Sequence, residues 1–221
     1  MASSQSNTAP AGEAMAGYTL TPAARRVFSI RESRIENEMI LKPQDLLVVL
    51  KMLARGRDSA WTYNGLAVEL GMSPSEVHAG VKRAIRARLA RADGGSCPAR
   101  PVVRPVEEFV FYGVPHVFIP DQGGETRGIP TAWAAPLLRE SLVGGSAPPP
   151  VWPHPEGTSR GYEFSPLYRA APEAALRDER LYNLLTLLDV FRMGRAREVK
   201  MARELFRDLI REYDHGRQSE H

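Results

Sequence analysis

One short stretch constrains the fold of this chain more than any other. Residues 65–85 read GLAVELGMSPSEVHAGVKRAI, two helix-like runs on either side of Gly71. Glycine tolerates a positive φ, which a sharp turn between two helices requires. Ala67 is small enough to let the second helix cross closely, and Met72 supplies an apolar plug after the turn. The spacing predicts two packed helices joined by a tight turn.

The start of the second helix is marked twice. Ser73 and Glu76 have the spacing of a capping box, and Pro74 stands at the first helical position, where its missing N–H costs nothing. The helix should then bury an apolar face, formed by Val77, Val81, Ala84 and Ile85. We expect this helix to continue until Gly94-Gly95.

Two further helices are predicted before this one. KPQDLLVVLKMLARG has Pro43 at a helix start, apolar residues on one face, and Gly56 as its end. WTYNGLAVELG is a second, short helix with Thr62 as its expected N-cap.

These features together resemble the helix-turn-helix of bacterial transcriptional regulators. With helix 43–55, the region looks like a winged helix of the MarR-like kind, over about residues 41–103. The resemblance implies that helix 73–89 enters the major groove of DNA. By position, it implies outward residues near the bases, namely Ser73, Ser75, His78, Ala79 and Lys82. It implies backbone contacts from Arg83 and Arg86.

The wing of that family is a β-hairpin with a basic tip. Here RADGGSCPARPVVRP places only Arg91 and Arg100 around a Gly-Gly pair, with weak strand patterns. We therefore expect little minor-groove contact from this segment.

The side chains favour DNA binding independently of the resemblance. Five that can donate hydrogen bonds to base edges or phosphates fall on the outward side of the helix: Ser75, His78, Lys82, Arg83 and Arg86. The alternative is an ordinary solvated face formed by the basic residues Lys82, Arg83, Arg86 and Arg88. Because turn architecture and charge agree, we favour the DNA-binding interpretation.

The second half of the chain is less regular. RPVEEFVFYGV predicts a helix over 104–114, PHVFIP a short strand, and RGYEFSPLY another strand. Residues 119–161 are rich in Gly and Pro and predict long loops, including a flexible hairpin tip at GGETRG. Two helices close the chain, roughly 172–192 and 195–213, with Gly194 at the break. From Phe109 onward, YGVPHVFIP, TRGIPTAWAAPLL and VWPHPEG resemble the tail of a little-characterised group of bacterial helix-turn-helix proteins, which implies no activity.

The predicted fold is mainly α with a small β component. It comprises a disordered tail (1–17), a winged helix-turn-helix DNA-binding domain (18–103), and an α+β C-terminal half (104–221) that ends in two long helices. A short helix around AARRVFSIRES is expected within 18–41. The C-terminal half is expected to serve dimerisation or ligand sensing. Its leucine-rich helices suit either a dimer interface or a core hairpin, and Trp133 and Trp152 suit either a ligand pocket or loop packing.

Composition and charge narrow the possible settings. A formal charge of +3 permits a polyanionic partner without requiring one. Cys97 is the single cysteine, so no intramolecular disulfide forms and we expect a cytoplasmic protein. No apolar run approaches the roughly 20 residues of a membrane span. MASSQSNTAPAGEAMAG lacks the features of a secretory signal.

The sequence gives little support for catalysis. The histidines and Cys97 are scattered without metal-ligand spacing, GGETRG lacks the Gly-Lys-Ser/Thr of a P-loop, and no G-x-S-x-G motif occurs. Glu107 and Glu108 are adjacent and point apart on a helix, where the helix dipole explains them. We expect no enzyme, no cofactor and no metal.

The predicted function is that of a sequence-specific double-stranded DNA-binding transcriptional regulator, acting as a homodimeric repressor. One recognition helix rarely supplies enough specificity, which favours a dimer. The alternative is a protein-interaction module, such as an adaptor or antitoxin-like partner, that uses the same scaffold without reading DNA. A small-molecule or protein effector is left open.

Overall fold

The computed structural model describes residues 40–139, 148–194 and 196–215. The tail expected at 1–17 and the short helix expected within 18–41 lie outside the described residues, apart from the last two positions. The described part is mainly α-helical with two small sheets, which confirms the predicted fold class in outline.

Three helices open the described chain: α1 (Pro43–Arg55), α2 (Tyr63–Leu70) and α3 (Pro74–Arg86). The side chain of Thr62 accepts a hydrogen bond from the backbone N–H of Gly65, so it caps α2 as expected. Gly71 ends α2 at φ 62°, the left-handed conformation that the turn was expected to need. The predicted capping box and proline start of α3 are also confirmed.

Helix α3 ends earlier than expected. It stops at Arg86, and Arg88 takes a positive φ of 62° that turns the chain back. The turn buries Leu89 and Ala90, which a continuing helix would carry past the end of its apolar face. Strands β1 (Ala90–Ala92) and β2 (Ala99–Pro101) then form an antiparallel hairpin. The weak strand patterns of this segment are therefore real strands, though short.

A continuous helical stretch follows, made of α4 (Val103–Glu108), a π-helical turn (Phe109–Gly113) and α5 (Val114–Val117). The helix predicted at 104–114 is confirmed and is longer than expected. The short strand predicted at PHVFIP is wrong, because α5 extends to Val117 and buries Val114. Phe118, also buried, ends the stretch.

The segment expected to consist of loops contains a small closed barrel. Its strands are β3 (Gln122–Pro130), β4 (Pro150–Pro153) and β5 (Ser159–Phe164). β3 runs antiparallel to both other strands, and β4 and β5 are parallel. The strand predicted at RGYEFSPLY is confirmed. The prediction of a flexible hairpin tip at GGETRG is wrong, because these residues lie within β3. Gly128 lies in β3, where a Cβ would collide with the carbonyl oxygen of Trp152, so this glycine permits close backbone packing.

Short elements connect β3 and β4: a 3-10 turn (Ala132–Ala134) and α6 (Pro136–Arg139). The C-terminal helices are α7 (Ala171–Leu176), α8 (Glu179–Met193) and α9 (Ala196–His215). The single helix expected at 172–192 is thus divided. Asp178 causes the division by capping α8, since its side chain accepts a hydrogen bond from the N–H of Leu181. Gly194 ends α8 at φ 73°, as its position predicted.

Within the described residues, helix α8 packs on α1, α5, α7, α9 and the 3-10 turn. One apolar core runs through described residues on both sides of the boundary expected at 103/104. On the two C-terminal helices, Leu185, Leu187 and Ile210 are buried, and Leu205 packs against the core. Of the two alternatives for these helices, this burial favours the core hairpin over the dimer interface.

Candidate nucleic-acid interface

The seven residues predicted to contact DNA lie on α3 or at its start, but they do not share one face. Those that are exposed are Ser73, Ser75, His78, Lys82 and Arg86, whereas Ala79 is half-buried. The opposite side of α3 is buried against α1 and α2 through Val77, Val81 and Ala84. Arg83 differs from the others in both position and partners.

Arg83 reaches back to α1 and is paired with a buried carboxylate. Its Nε and Nη2 donate hydrogen bonds to the two carboxylate oxygens of Asp45, both at 2.7 Å. The side chain of Asp45 is 0% exposed and that of Arg83 is 12% exposed. The expectation that Arg83 projects outward is wrong. Its guanidinium group orients α3 against α1, and sequence reasoning identified neither that role nor Asp45.

The close approach of α3 to α1 also depends on Gly80. A Cβ at this position would lie 3.0 Å from Oδ1 of Asp45, so a larger residue would press on the buried carboxylate. Asp45 accepts one more hydrogen bond, from the backbone N–H of Lys42 at 2.8 Å. The same carboxylate therefore caps α1 and holds Arg83.

The N-terminus of α3 is tied to the C-terminal half. The hydroxyl of Tyr168 donates a hydrogen bond to Oε1 of Glu76 at 3.1 Å. Hydrogen bonds from the backbone N–H and the hydroxyl of Ser73, with that of Tyr168 adding to them, hold the pKa of Glu76 below its ordinary value. The guanidinium group of Arg169 lies over the Tyr168 ring, 5.7 Å from its centroid. Sequence reasoning missed this contact, because 92 residues separate its two partners.

His78 is exposed, but its ring packs against a neighbouring aromatic side chain. Its ring meets the ring of Tyr63 on α2 edge to face, with centroids 4.9 Å apart. Ser75 lies beside the cap, with its hydroxyl oxygen 3.1 Å from that of Ser73. Lys82 and Arg86 are exposed and make no hydrogen bond with another described residue.

An ion-pair cluster fixes α1, α2 and α8 together. Nζ of the buried Lys51 lies 2.9 Å from Oε2 of Glu69 and 2.6 Å from Oδ2 of Asp178. Arg55 also pairs with Glu69. Burial alone would raise the pKa of Glu69, but hydrogen bonds from Lys51 and Arg55 outweigh it and hold the pKa below its ordinary value. The cluster therefore joins the start of α8 to α1 and α2, the two helices on which α3 packs.

The hairpin that follows α3 is closed by polar contacts near its tip. Nε of Arg100 donates to Oδ2 of Asp93 at 3.0 Å, and the thiol of Cys97 donates to the same oxygen at 3.3 Å. Burial, with the nearby carboxylate of Asp93, raises the pKa of the Cys97 thiol, so this cysteine is a structural, protonated group.

Within residues 40–139, 148–194 and 196–215, no group of histidine, cysteine and carboxylate side chains is arranged to hold a metal ion. In the same residues, no helix combines the length and apolar character that crossing a membrane requires. No family model, curated protein or solved structure matches this chain.

Proposed function

We propose that this protein is a cytoplasmic, sequence-specific double-stranded DNA-binding regulator of the winged helix-turn-helix type. The observation that carries the proposal is the two-sided character of α3. One side is buried and fixed by the Gly71 turn and the Asp45–Arg83 pair. The other side exposes donors to solvent, and a helix of this kind fits the major groove of B-DNA.

The exposed residues suit different parts of a duplex. Lys82 and Arg86 carry positive charges that can pair with phosphates, and an arginine can also read guanine bidentately. Ser75 and His78 lie nearer the N-terminus of α3, the end that usually approaches base edges in helix-turn-helix proteins. Arg83 is a positioning residue in this proposal, because Asp45 occupies its guanidinium group.

The proposal includes a homodimeric repressor, since two recognition helices would give the specificity that one short helix lacks. The apolar faces of α8 and α9 are covered within the chain, so the dimer contact is placed elsewhere. Sedimentation of the full chain with and without its DNA site tests the oligomeric state. A monomer under both conditions contradicts this part of the proposal alone.

The central test begins with genomic DNA recovered on the purified full-length protein. Affinity for a recovered duplex is then measured against salt concentration for the wild type and for the double variant Lys82→Ala/Arg86→Ala. If both residues contact phosphates, the slope of log K against log salt falls by about 2. If one of the two residues contacts a base instead, the variant should lose about 1–3 kcal/mol of binding free energy, mainly on the cognate sequence.

A matched control removes the same charges from another exposed helix. Arg197 and Lys200 are exposed on α9, and Arg197→Ala/Lys200→Ala should leave both affinity and salt slope unchanged. Equal losses in the two double variants would indicate a general charge effect. Unchanged affinity in Lys82→Ala/Arg86→Ala would exclude α3 as the reading helix.

A second candidate function is a protein-interaction module. It is favoured by the large apolar side chains that remain exposed on the described surface: Ile40, Val68, Tyr112, Val117, Ile119 and Leu176. Exposed apolar side chains suit a protein partner better than a phosphate backbone. A complex that survives increasing salt, with no DNA recovered, favours this function over the first.

A further inference from the structure

A concave pocket of about 300 Å³ lies among the β1–β2 hairpin, the start of α4 and the end of α9. Four arginines line it: Arg57, Arg91, Arg100 and Arg104. Its apolar wall includes Tyr213. The described residues that line the pocket include no carboxylate, so positive charge dominates its surface.

The hairpin carries two of these arginines in an unusual arrangement. Arg91 and Arg100 are directly opposite each other in the antiparallel register of β1 and β2. Like charges at directly opposite positions destabilise a pair of strands. Asp93 offsets this through its hydrogen bond with Arg100, but Arg91 makes no hydrogen bond with a described residue. An anion in the pocket would relieve the repulsion that remains.

Arg104 supplies a third guanidinium group from α4. Its partner is Glu108, one turn along the same helix, with Nε 3.0 Å from Oε1 and the Arg104 side chain 88% exposed. A solvent-exposed pair of this kind contributes little stability. Arg104 can therefore exchange Glu108 for an anion at little cost.

Tyr213 also lines the pocket. Its side chain is only 3% exposed, and burial raises the pKa of its hydroxyl while Arg100 acts in the opposite direction. The hydroxyl is protonated at neutral pH and can donate a hydrogen bond.

We propose that this pocket binds the phosphate group of a small phosphorylated molecule. Guanidinium groups match phosphate oxygens bidentately. Three of the arginines that line this pocket come from three elements: Arg91 from β1, Arg100 from β2 and Arg104 from α4. The volume is at the lower limit of small-molecule sites. A concave pocket also encloses a compact anion better than it fits the rod-like backbone of a duplex. This ligand site does not depend on the DNA-binding function proposed above.

The test uses pyrophosphate and inorganic phosphate as probes with the full-length protein, by calorimetric titration at constant ionic strength. We expect saturable binding of pyrophosphate to a single site. The double variant Arg91→Gln/Arg104→Gln should bind pyrophosphate at least about tenfold more weakly, because the loss of even one charge-assisted hydrogen bond lowers affinity by about that factor. Both side chains are exposed, so the fold should persist, which circular dichroism checks.

The matched control is Arg160→Gln on β5, an arginine with a 77% exposed side chain outside the pocket, which should bind the probe like the wild type. Absence of saturable binding of either probe overturns the proposal. So does equal binding by the wild type and the double variant. A double variant that binds pyrophosphate normally but loses affinity for duplex DNA would assign these arginines to the DNA backbone and also overturn it.

Discussion

Two carboxylates of the described residues are buried with an arginine as partner, in two very different settings. Asp45 on α1 is 0% exposed and pairs with Arg83 on α3, 38 residues away, whose side chain is 12% exposed. Asp189 on α8 is 1% exposed and pairs with Arg192 one turn further along the same helix, whose side chain is 3% exposed. The first pair joins two regular helices near the surface, and the second is closed within the core.

The Asp45–Arg83 pair sets the orientation of α3 relative to α1. Helices α1 and α3 already pack through apolar residues, and the bidentate contact selects one orientation of α3 against α1. Because the exposed face of α3 is the candidate DNA surface, the pair connects the core to function.

The Asp189–Arg192 pair anchors the barrel strands and the end of α5 on α8. Asp189 accepts hydrogen bonds from the hydroxyl of Thr131 and the indole N–H of Trp152, both at 2.7 Å. Arg192 donates to the carbonyl oxygens of Phe118 and Ser165, at 2.8 and 2.9 Å. These four groups come from the residue after α5 (Phe118), the residues after β3 and β5 (Thr131 and Ser165), and β4 itself (Trp152), and all four are held on α8. The difference teaches that one buried ion pair can orient two helices, whereas another can anchor strands and segment ends on a single helix.

The largest effect should come from Asp189→Ala. This change leaves the Arg192 charge buried without its carboxylate and removes the acceptor of Thr131 and Trp152. Breaking a buried pair in this way costs about 3–5 kcal/mol of the free energy of unfolding. Urea denaturation measures it, with Asp189→Asn as a milder variant that retains one acceptor.

Asp208→Ala provides the matched control. Asp208 and Arg211 have the same i, i+3 spacing on α9, but their side chains are 64% and 67% exposed. We expect a loss below about 1 kcal/mol there. Similar losses of unfolding free energy at positions 189 and 208 would show that the Asp189–Arg192 pair does not stabilise the segments that contact it from outside α8.

The sequence predicted the Asp45 region far better than the Asp189 region. Thr62, Gly71 and Ser73 act on residues within one turn, so local patterns reveal them. Sequence reasoning missed strand β3 because its glycines are typical of a loop. One of them, Gly128, is required by close packing against the backbone of Trp152, and such long-range packing leaves no local pattern in the sequence.

The two ion pairs were missed for related reasons. Arg83 was assigned to the outward face with its basic neighbours, because charge patterning alone gives no sign of the buried Asp45. The partners of Asp189 lie 37 and 58 residues away. Long-range partners of this kind leave no local signature in a single sequence.

Arg83→Met should have the second largest effect. Among the described residues, it leaves the buried Asp45 with the N–H of Lys42 as its hydrogen-bond donor. The arginine that is removed is 12% exposed, against 3% for Arg192, so the change is closer to solvent than one at Arg192. We expect a loss of about 2–3 kcal/mol in the free energy of unfolding. If DNA binding is confirmed, affinity should fall while the salt slope stays unchanged, because a positioning residue makes no phosphate contact. A reduced slope would place Arg83 on the duplex and contradict the orienting role of the pair.

Gly71→Val tests the other constraint on α3, the turn that precedes it. The φ of 62° disfavours a β-branched residue by about 1–2 kcal/mol, although a Cβ would meet no atom within 4 Å. The expected loss is therefore one of backbone strain alone. Gly94→Val, on the hairpin and without a positive φ or a close neighbour, is the control and should have little effect. Equal thermal stability of Gly71→Val and the wild type would leave the ion pair as the main constraint on α3.

Tyr168→Phe should have the smallest effect, because it removes one hydrogen bond to Glu76, the contact through which the C-terminal half holds the start of α3. We expect a loss of about 0.5–1 kcal/mol at neutral pH, measured by urea denaturation, with Tyr112→Phe on the exposed surface as the control.

The pKa of Glu76 is held below its ordinary value of 4.5. Its contribution is therefore complete above that value and is lost as pH falls through the lower pKa of the folded state. The difference between Tyr168→Phe and the wild type should shrink over the same range. A difference that persists in acid would mean that the Tyr168 hydroxyl acts through a partner other than the Glu76 carboxylate.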